Sequence, residues 1–167
     1  FVMGGVTGIM NAAAPADYQY HDSYFVVAHF HYVIVGGVVL ALLAGTHFYW
    51  PKMFGTLLNE FLGKITFWLF LIGFHLTFFI QHFLGLLGMP RRVFTYLDGQ
   101  GWDNANMIST VGAFLMAVAV IILLVNVVMT SIKNVKVGND PWTDGRTLEW
   151  AIPSPPPEHN FDRLPLV

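Results

Sequence analysis

The sequence predicts an all-α fold, a polytopic bundle of transmembrane helices. Three observations carry that expectation. The 167 residues are 55% hydrophobic and only 11% charged, where soluble domains average about 25% charged residues, and mean hydropathy is +0.58. Charged residues are absent between Asp22 and Lys52, between Lys64 and Arg91, and between Asp103 and Lys133. Each gap exceeds the ~20 residues a helix needs to cross the hydrocarbon core. No period-two alternation runs through these stretches, so a barrel is not expected, and a helix satisfies its own backbone in lipid.

Composition also excludes classes. Net charge is −2 and no basic stripe is visible, which argues against a nucleic-acid binder. There are no cysteines, so disulfides and thiolate metal sites are excluded.

The elements follow in order. The first residues, FVMGGVTGIMNAAAPAD, are apolar and uncharged as far as Asp17. They are too short for a span with its own flanks and lack the basic start of a signal peptide. They read as the last turns of a helix, closed by a Pro-broken loop. Three spans are then expected near 22–50, 62–88 and 104–132, placing residues 1–135 in the membrane domain. Residues 136–167 form a Pro-rich tail containing SPPPEH, expected to be extended and in contact with another subunit. The chain reads as a piece of a longer one.

Three spans put residues 13–22 and 89–103 on one side, and 51–64 and the tail on the other. Lys52, Lys64, Lys133 and Lys136 fall on the second side, which the positive-inside rule makes cytoplasmic. Arg91 and Arg92, in GMPRRVF, break that rule. They are either interfacial arginines or the holders of an anion at the outer edge, a task that suits the planar guanidinium fork. Asp17, His21, Asp22, Asp98 and Asp103 share that side and could form a polar or metal-binding cap. Trp50 and Trp102 stand where interfacial anchors belong, and Gly36, Gly37 and Gly45 could admit close helix approach.

The stretch YFVVAHFHYV, residues 24–33, raises the sharpest question. In a strand, His29 and His31 would share a face and chelate one metal. In a helix each residue turns about 100°, so the two imidazoles stand roughly 200° apart and cannot share a metal. They would lie roughly 10–13 Å below the outer edge, where an ionisable side chain needs a partner. Two readings remain open on the residues alone. One is a pair of buried histidines hydrogen-bonded to neighbouring helices. The other is two separate ligation sites flanking Phe30, for which haem is the natural cofactor because imidazole is a standard axial ligand. Asp22, seven residues before His29, would project from nearly the same helix face toward the outer cap, where Arg91 and Arg92 would meet haem propionates. His75 is read as a packing or helix–helix hydrogen-bonding residue, His47 as structural or interfacial, and His82 as a possible pocket wall without a metal.

Taken together, ADYQYHDSYFVVAHFHYV and TFFIQHFLGLLGMPRR resemble subunit I of the haem–copper oxidases, in its last three core helices. The likeness covers about residues 1–135, and the tail DPWTDGRTLEWAIPSPPPEHNF is similar to bacterial members. The resemblance implies roles. His29 corresponds to the proximal ligand of the high-spin haem and His31 to an axial ligand of the low-spin haem, with Phe30 between the two haems, of a and a3 type. His21 and Asp22 correspond to ligands of Mg2+ or Mn2+. Arg91 and Arg92 correspond to propionate partners, and Asp17 to an acid near the propionates. The copper ligands of the family have no counterpart here. The implied partners are the rest of subunit I, subunit II with its dinuclear copper, subunit III, cytochrome c, O2 and membrane lipids, in a bacterial plasma membrane. The implied activity is electron transfer from cytochrome c through two haems to O2, giving water, with proton translocation. Asp22, where many quinol-oxidising relatives carry Asn, leans toward cytochrome c; a quinol oxidase stays open. Ile80 replaces a proline common in relatives and could straighten the second span. Rival readings from other classes are a non-enzymatic dihaem carrier and a metal or ion transporter.

Overall fold

The computed structural model describes residues 1–143 and 145–161; the parts of the tail at 144 and 162–167 lie outside the described residues. Among the described residues six α-helices follow in chain order: α1 (Val2–Ala12), α2 (Ala14–Tyr20), α3 (Tyr24–Val33), α4 (Leu40–Phe54), α5 (Glu60–Leu86) and α6 (Asp103–Lys133). A π-helical stretch, Ile34–Val39, joins α3 to α4, and a short 3-10 turn occupies Leu148–Trp150. Among the described residues there are isolated bridges but no strand.

Among the described residues three helices are long and apolar enough to cross a membrane: Tyr24–Phe54, Glu60–Leu86 and Asp103–Lys133. They are three in number, as expected, and their ends lie within a few residues of the expected ones. The first runs past Trp50 because Pro51 is accommodated inside α4, ahead of a turn at Gly55 with φ 68°. Gly88, φ 86°, closes α5: the Met89 N–H bonds the Leu84 carbonyl at 3.0 Å, a glycine-based helix stop. Ile80 sits in an unbroken 27-residue α5.

Two local expectations are corrected. Residues 14–20 are helical rather than a Pro-broken loop, because Pro15 falls in the first turn of α2, where a missing N–H costs nothing and the fixed φ suits a helix. Trp50 is buried, with its Nε1–H on the Thr56 hydroxyl at 3.2 Å, rather than facing an interface.

The chain divides into two compact units. The first comprises Phe1–Ala41 and Phe67–Val120. Its core is Tyr32, Phe74 and Phe78, flanked by Val35 and Met116. α5 and α6 meet here at Gly73 and Gly112: a Cβ on Gly73 would lie 2.7 Å from the Gly112 carbonyl oxygen, and one on Gly112 2.6 Å from that of Gly73. Small residues at a crossing let helix backbones approach. Beside it, Thr77 Oγ1 donates to the Ser109 carbonyl (3.2 Å), Ser109 Oγ to the Thr77 carbonyl (3.1 Å) and Gln81 Nε2 to Ser109 Oγ (3.0 Å). Gly36 packs on Phe74 and Gly37 on Phe1, but Gly45 has open space, so it mediates no close approach among the described residues.

The second unit comprises Leu42–Thr66 and residues from Ile121 onward. Asn126 of α6 holds the start of α5: the Asn59 N–H donates to Asn126 Oδ1 at 2.9 Å, and Asn126 Nδ2 donates to the Asn59 carbonyl at 3.0 Å. The tail packs on the end of α4 rather than running free. Lys52 is buried and its Nζ donates to the carbonyls of Ile152 (2.9 Å) and Asn139 (3.2 Å), lying 5.2 Å over the Trp150 ring.

Candidate functional site

The site is built on α3, and its first requirement is the cap. Ser23 precedes the helix and its hydroxyl accepts the Phe25 N–H at 3.2 Å, satisfying one of the orphan donors of a helix start. One turn of α5 presses against this start at Gly85, where any Cβ would overlap the Phe25 backbone. Only glycine fits there.

From this anchored start, His29 and His31 leave α3 toward different elements. His29 faces α1: its Nδ1 lies 3.0 Å from the Thr7 hydroxyl, and a Cβ on Gly8 would lie 3.1 Å from its Cε1. His31 faces α5: its ring stacks on Phe78 with centroids 4.1 Å apart and planes 13° apart, while its Nδ1 bonds the Val27 carbonyl at 2.8 Å. The expected divergence of the two imidazoles is what the helix produces. Phe30 lies between them, half-buried, its ring 4.4 Å from that of His31.

Each imidazole therefore has one ring nitrogen engaged. Among the described residues, Nε2 of neither His29 nor His31 carries a hydrogen bond. A histidine with one nitrogen pinned by a neighbour and the other open has the arrangement of a metal-ligating histidine, whose second-shell partner fixes tautomer and ring orientation. The two imidazoles fit axial haem donors, one on each of two sides of the helix.

The outer cap differs from its expected form. Asp22 stands outside α3 with φ 56°, so the same-face argument from His29 does not apply: that projection assumed a helix already running at residue 22. Its carboxylate instead pairs with the Arg91 guanidinium, and its carbonyl accepts the Arg91 N–H at 2.9 Å. Ser23 and Pro90 bridge alongside, and the Tyr24 N–H bonds the Met89 carbonyl at 3.0 Å. The loop after α5 is thereby sewn to the loop before α3. Arg92 is exposed, with φ 66°. His21 Nε2 lies 3.9 Å from Asp22 Oδ2, both side chains largely exposed. Among the described residues no group of three or more metal-ligating side chains gathers, so His21 and Asp22 alone do not make a closed cation site. Asp17 lies in α2, where its carbonyl accepts the His21 N–H at 2.7 Å. Burial, and then the Asp17 carboxylate, push the nearby Tyr20 phenol above its ordinary range.

His47, His75 and His82 lie in α4 and α5 with Nδ1 likewise engaged, and Nε2 of His47 and of His82 is buried without a partner. Tyr32 Oη and His75 Nδ1 are 2.7 Å apart, in line with a helix–helix hydrogen bond. His82 packs edge-on against Phe25 at 5.1 Å and lies 5.4 Å from Tyr32. His47 Nδ1 bonds the Leu43 carbonyl of its own helix at 2.8 Å. Sequence reading passed over Thr7, Tyr32 and Phe78. Thr7 and Phe78 carry no signal in a single sequence, since their importance comes from which helices pack together. Tyr32 had one, as a polar group beside His31 deep in a span.

The fold and the paired imidazoles define the class first: a polytopic helical membrane protein with open nitrogen donors inside the apolar layer. Residues 1–115 match the family described as Cytochrome C and Quinol oxidase polypeptide I, and the chain belongs to that family. It is 75% identical over all 167 residues to a cytochrome c oxidase subunit 1 of Bacillus sp. (strain PS3), and 71% identical over the same length to that of Bacillus subtilis (strain 168). Identity to a quinol oxidase subunit 1 of Bacillus subtilis is 54%. The chain spans about a quarter of the length of these relatives, 27% of the first. Among solved structures it resembles a haem–copper terminal oxidase dimer determined by cryo-electron microscopy. The TM-score is 0.68 at 26% identity, over 79% of this chain and 25% of that one.

Proposed function

We propose that this chain is the C-terminal part of the catalytic subunit of a respiratory terminal oxidase, and that the assembled enzyme passes electrons from cytochrome c through two haems to O2, forming water with coupled proton translocation. The observation that carries the reading is the divergence of His29 and His31 from one helix, one toward α1 and the other toward α5. The bound haems, of a and a3 type, would supply the redox chemistry. The chain's own residues hold and insulate them. His29 would be the proximal donor on the oxygen-binding side, kept in place by Thr7. His31 would be an axial donor on the electron-entry side, its ring braced by Phe78 and its tautomer set by Val27. Phe30 would separate the two sites with an aromatic wall. Arg91 and Arg92 would neutralise propionates at the outer edge, Arg91 through a guanidinium already oriented by Asp22, with Asp17 nearby. His21 and Asp22 would contribute two donors to a Mg2+ or Mn2+ site completed from outside this chain.

Residues 1–135 would belong to the membrane core, with 51–64 and 136–167 on the cytoplasmic side of a bacterial plasma membrane. The copper ligands would come from the rest of subunit I, and subunits II and III would complete the complex. Within Bacillus, identity of 71–75% to cytochrome c oxidases against 53–54% to quinol oxidases supports cytochrome c as donor. A quinol oxidase is the second reading. Turnover of the complex with reduced cytochrome c but not with quinol decides for the first.

The test of the haem assignment is a reduced-minus-oxidised spectrum of the complete complex, with and without carbon monoxide. His29→Ala should lose the carbon-monoxide-binding component and keep the low-spin one, and His31→Ala the reverse. Loss of both components to the same degree in a folded complex, by either variant, would refute the two-sided assignment.

A further inference from the structure

Tyr32 and His75 have no part in the scheme above, yet they touch it directly. Tyr32 follows His31 in α3 and is buried at 3% exposure. Its ring packs on Phe74 at 4.7 Å, and its hydroxyl is hydrogen-bonded to His75 Nδ1 at 2.7 Å. Phe74, His75 and Phe78 belong to adjacent turns of α5, and positions three and four apart share a helix face. α5 thus grips two consecutive residues of α3, with Phe78 stacked on the imidazole of His31 at 4.1 Å and His75 bonded to the hydroxyl of Tyr32.

The two contacts differ in what they specify. An apolar stack tolerates sliding and rotation, whereas a hydrogen bond is directional and weakens steeply off its line. In an apolar layer the Tyr32 hydroxyl has no water to replace a lost partner. The Tyr32–His75 bond therefore fixes the register of α5 along α3. Any shift of α5 that would move Phe78 from beneath the His31 ring must break that bond first. Val27 holds the Nδ1 end of the imidazole; Phe78 defines the plane in which the ring lies.

We propose that Tyr32 and His75 form a positioning pair that sets the ring orientation of His31 through Phe78, and thereby tunes the low-spin haem. The inference rests on His31 being that haem's ligand. Axial-ligand orientation and outer-shell contacts are the levers by which a protein adjusts a haem.

The experiment uses the complete oxidase complex carrying Tyr32→Phe, His75→Leu, both together, or His75→Asn, with His31→Ala as control. The readouts are the midpoint potential of the low-spin haem by potentiometry and the electron paramagnetic resonance signal of its oxidised form. Tyr32→Phe and His75→Leu should shift the potential and the g-values in the same direction. The double variant should go no further than the larger single effect, since one bond is being removed. His75→Asn, whose amide can still bond the phenol, should restore most of the wild-type values. The carbon-monoxide difference spectrum should stay unchanged throughout. Unchanged potential and g-values in Tyr32→Phe and His75→Leu, in complexes where His31→Ala abolishes the low-spin signal, would overturn the positioning role alone and leave the ligand assignment standing. If His31→Ala leaves that signal intact, the ligand assignment falls and this inference with it.

Discussion

Asn126 lies about two turns before the end of the most apolar span and is 0% exposed. Both ends of its amide are engaged by the Asn59 backbone, which is why an amide is tolerated inside a span. Asn126→Leu would leave an N–H and a carbonyl without partners and should lower complex stability by about 1–2 kcal/mol, read as a lower thermal denaturation midpoint. Tyr20 makes the complementary case at the outer cap. Its hydroxyl is buried without a partner, and burial and Asp17 raise its phenol above 10.0. A folded-state value raised above the unfolded one contributes stability that is complete below the unfolded value and is lost as pH rises through the folded one. Stability of the complex should therefore fall above about pH 10. Tyr20→Phe should remove that part of the alkaline loss while leaving stability at neutral pH equal or higher. An identical alkaline profile in the two proteins would mean that Tyr20 does not report on the fold.

At the scale of elements, the helix contacts depend on where glycine stands. Gly85 meets the Phe25 backbone rather than a flexible side chain, so the obstacle cannot rotate away. Gly85→Ala should push α5 from the start of α3 and cost about 1–3 kcal/mol, seen as poor assembly or a lower denaturation midpoint. Gly45 has nothing within 4 Å, so Gly45→Ala should be neutral or stabilise α4 by up to about 1 kcal/mol through helix propensity. This contrast marks what a single sequence can disclose. The spans were legible because a missing charge over more than ~20 residues has one physical meaning. The divergence of His29 and His31 was legible because helical rotation alone dictates it. The useful glycines were not: Gly45 and Gly85 look alike in the sequence, and only the crossing of two remote helices separates them. Asp22 was misread for a related reason. Helical phase was projected across a cap, and the positive φ at that residue turns its carboxylate toward Arg91 instead. The short α2 escaped because Pro15 signals a break in mid-helix but a start in a first turn.

At the scale of the whole chain, two kinds of surface are in play. The spans present large exposed apolar side chains such as Leu42, Trp68, Phe114 and Ile121, as expected where lipid or further protein covers them. The tail takes the opposite course and folds onto the end of α4. Trp142 stacks on Phe48 with planes 4° apart and donates Nε1–H to its carbonyl at 3.2 Å. Trp150 stacks on Tyr49 with planes 9° apart. Gly55, at φ 68°, admits the Ser154 carbonyl so closely that a Cβ would lie 2.8 Å from its oxygen. Lys52 ties these contacts together, because a buried ammonium needs its donors satisfied and here backbone carbonyls of the tail supply the acceptors. Lys52→Met keeps the apolar stem and removes the charge and its donors. The aromatic stacks and the Trp142–Phe48 hydrogen bond would remain, but the ties from Lys52 to the Asn139 and Ile152 carbonyls would be lost. Chymotrypsin, whose aromatic cleavage sites are unchanged by this substitution, should cut the variant complex at Trp142 and Trp150 several-fold faster than the wild type, with the haem spectrum unaltered. Equal cleavage rates would assign the docking of the tail to its tryptophans, with Lys52 a passenger in a pocket the aromatics had already closed.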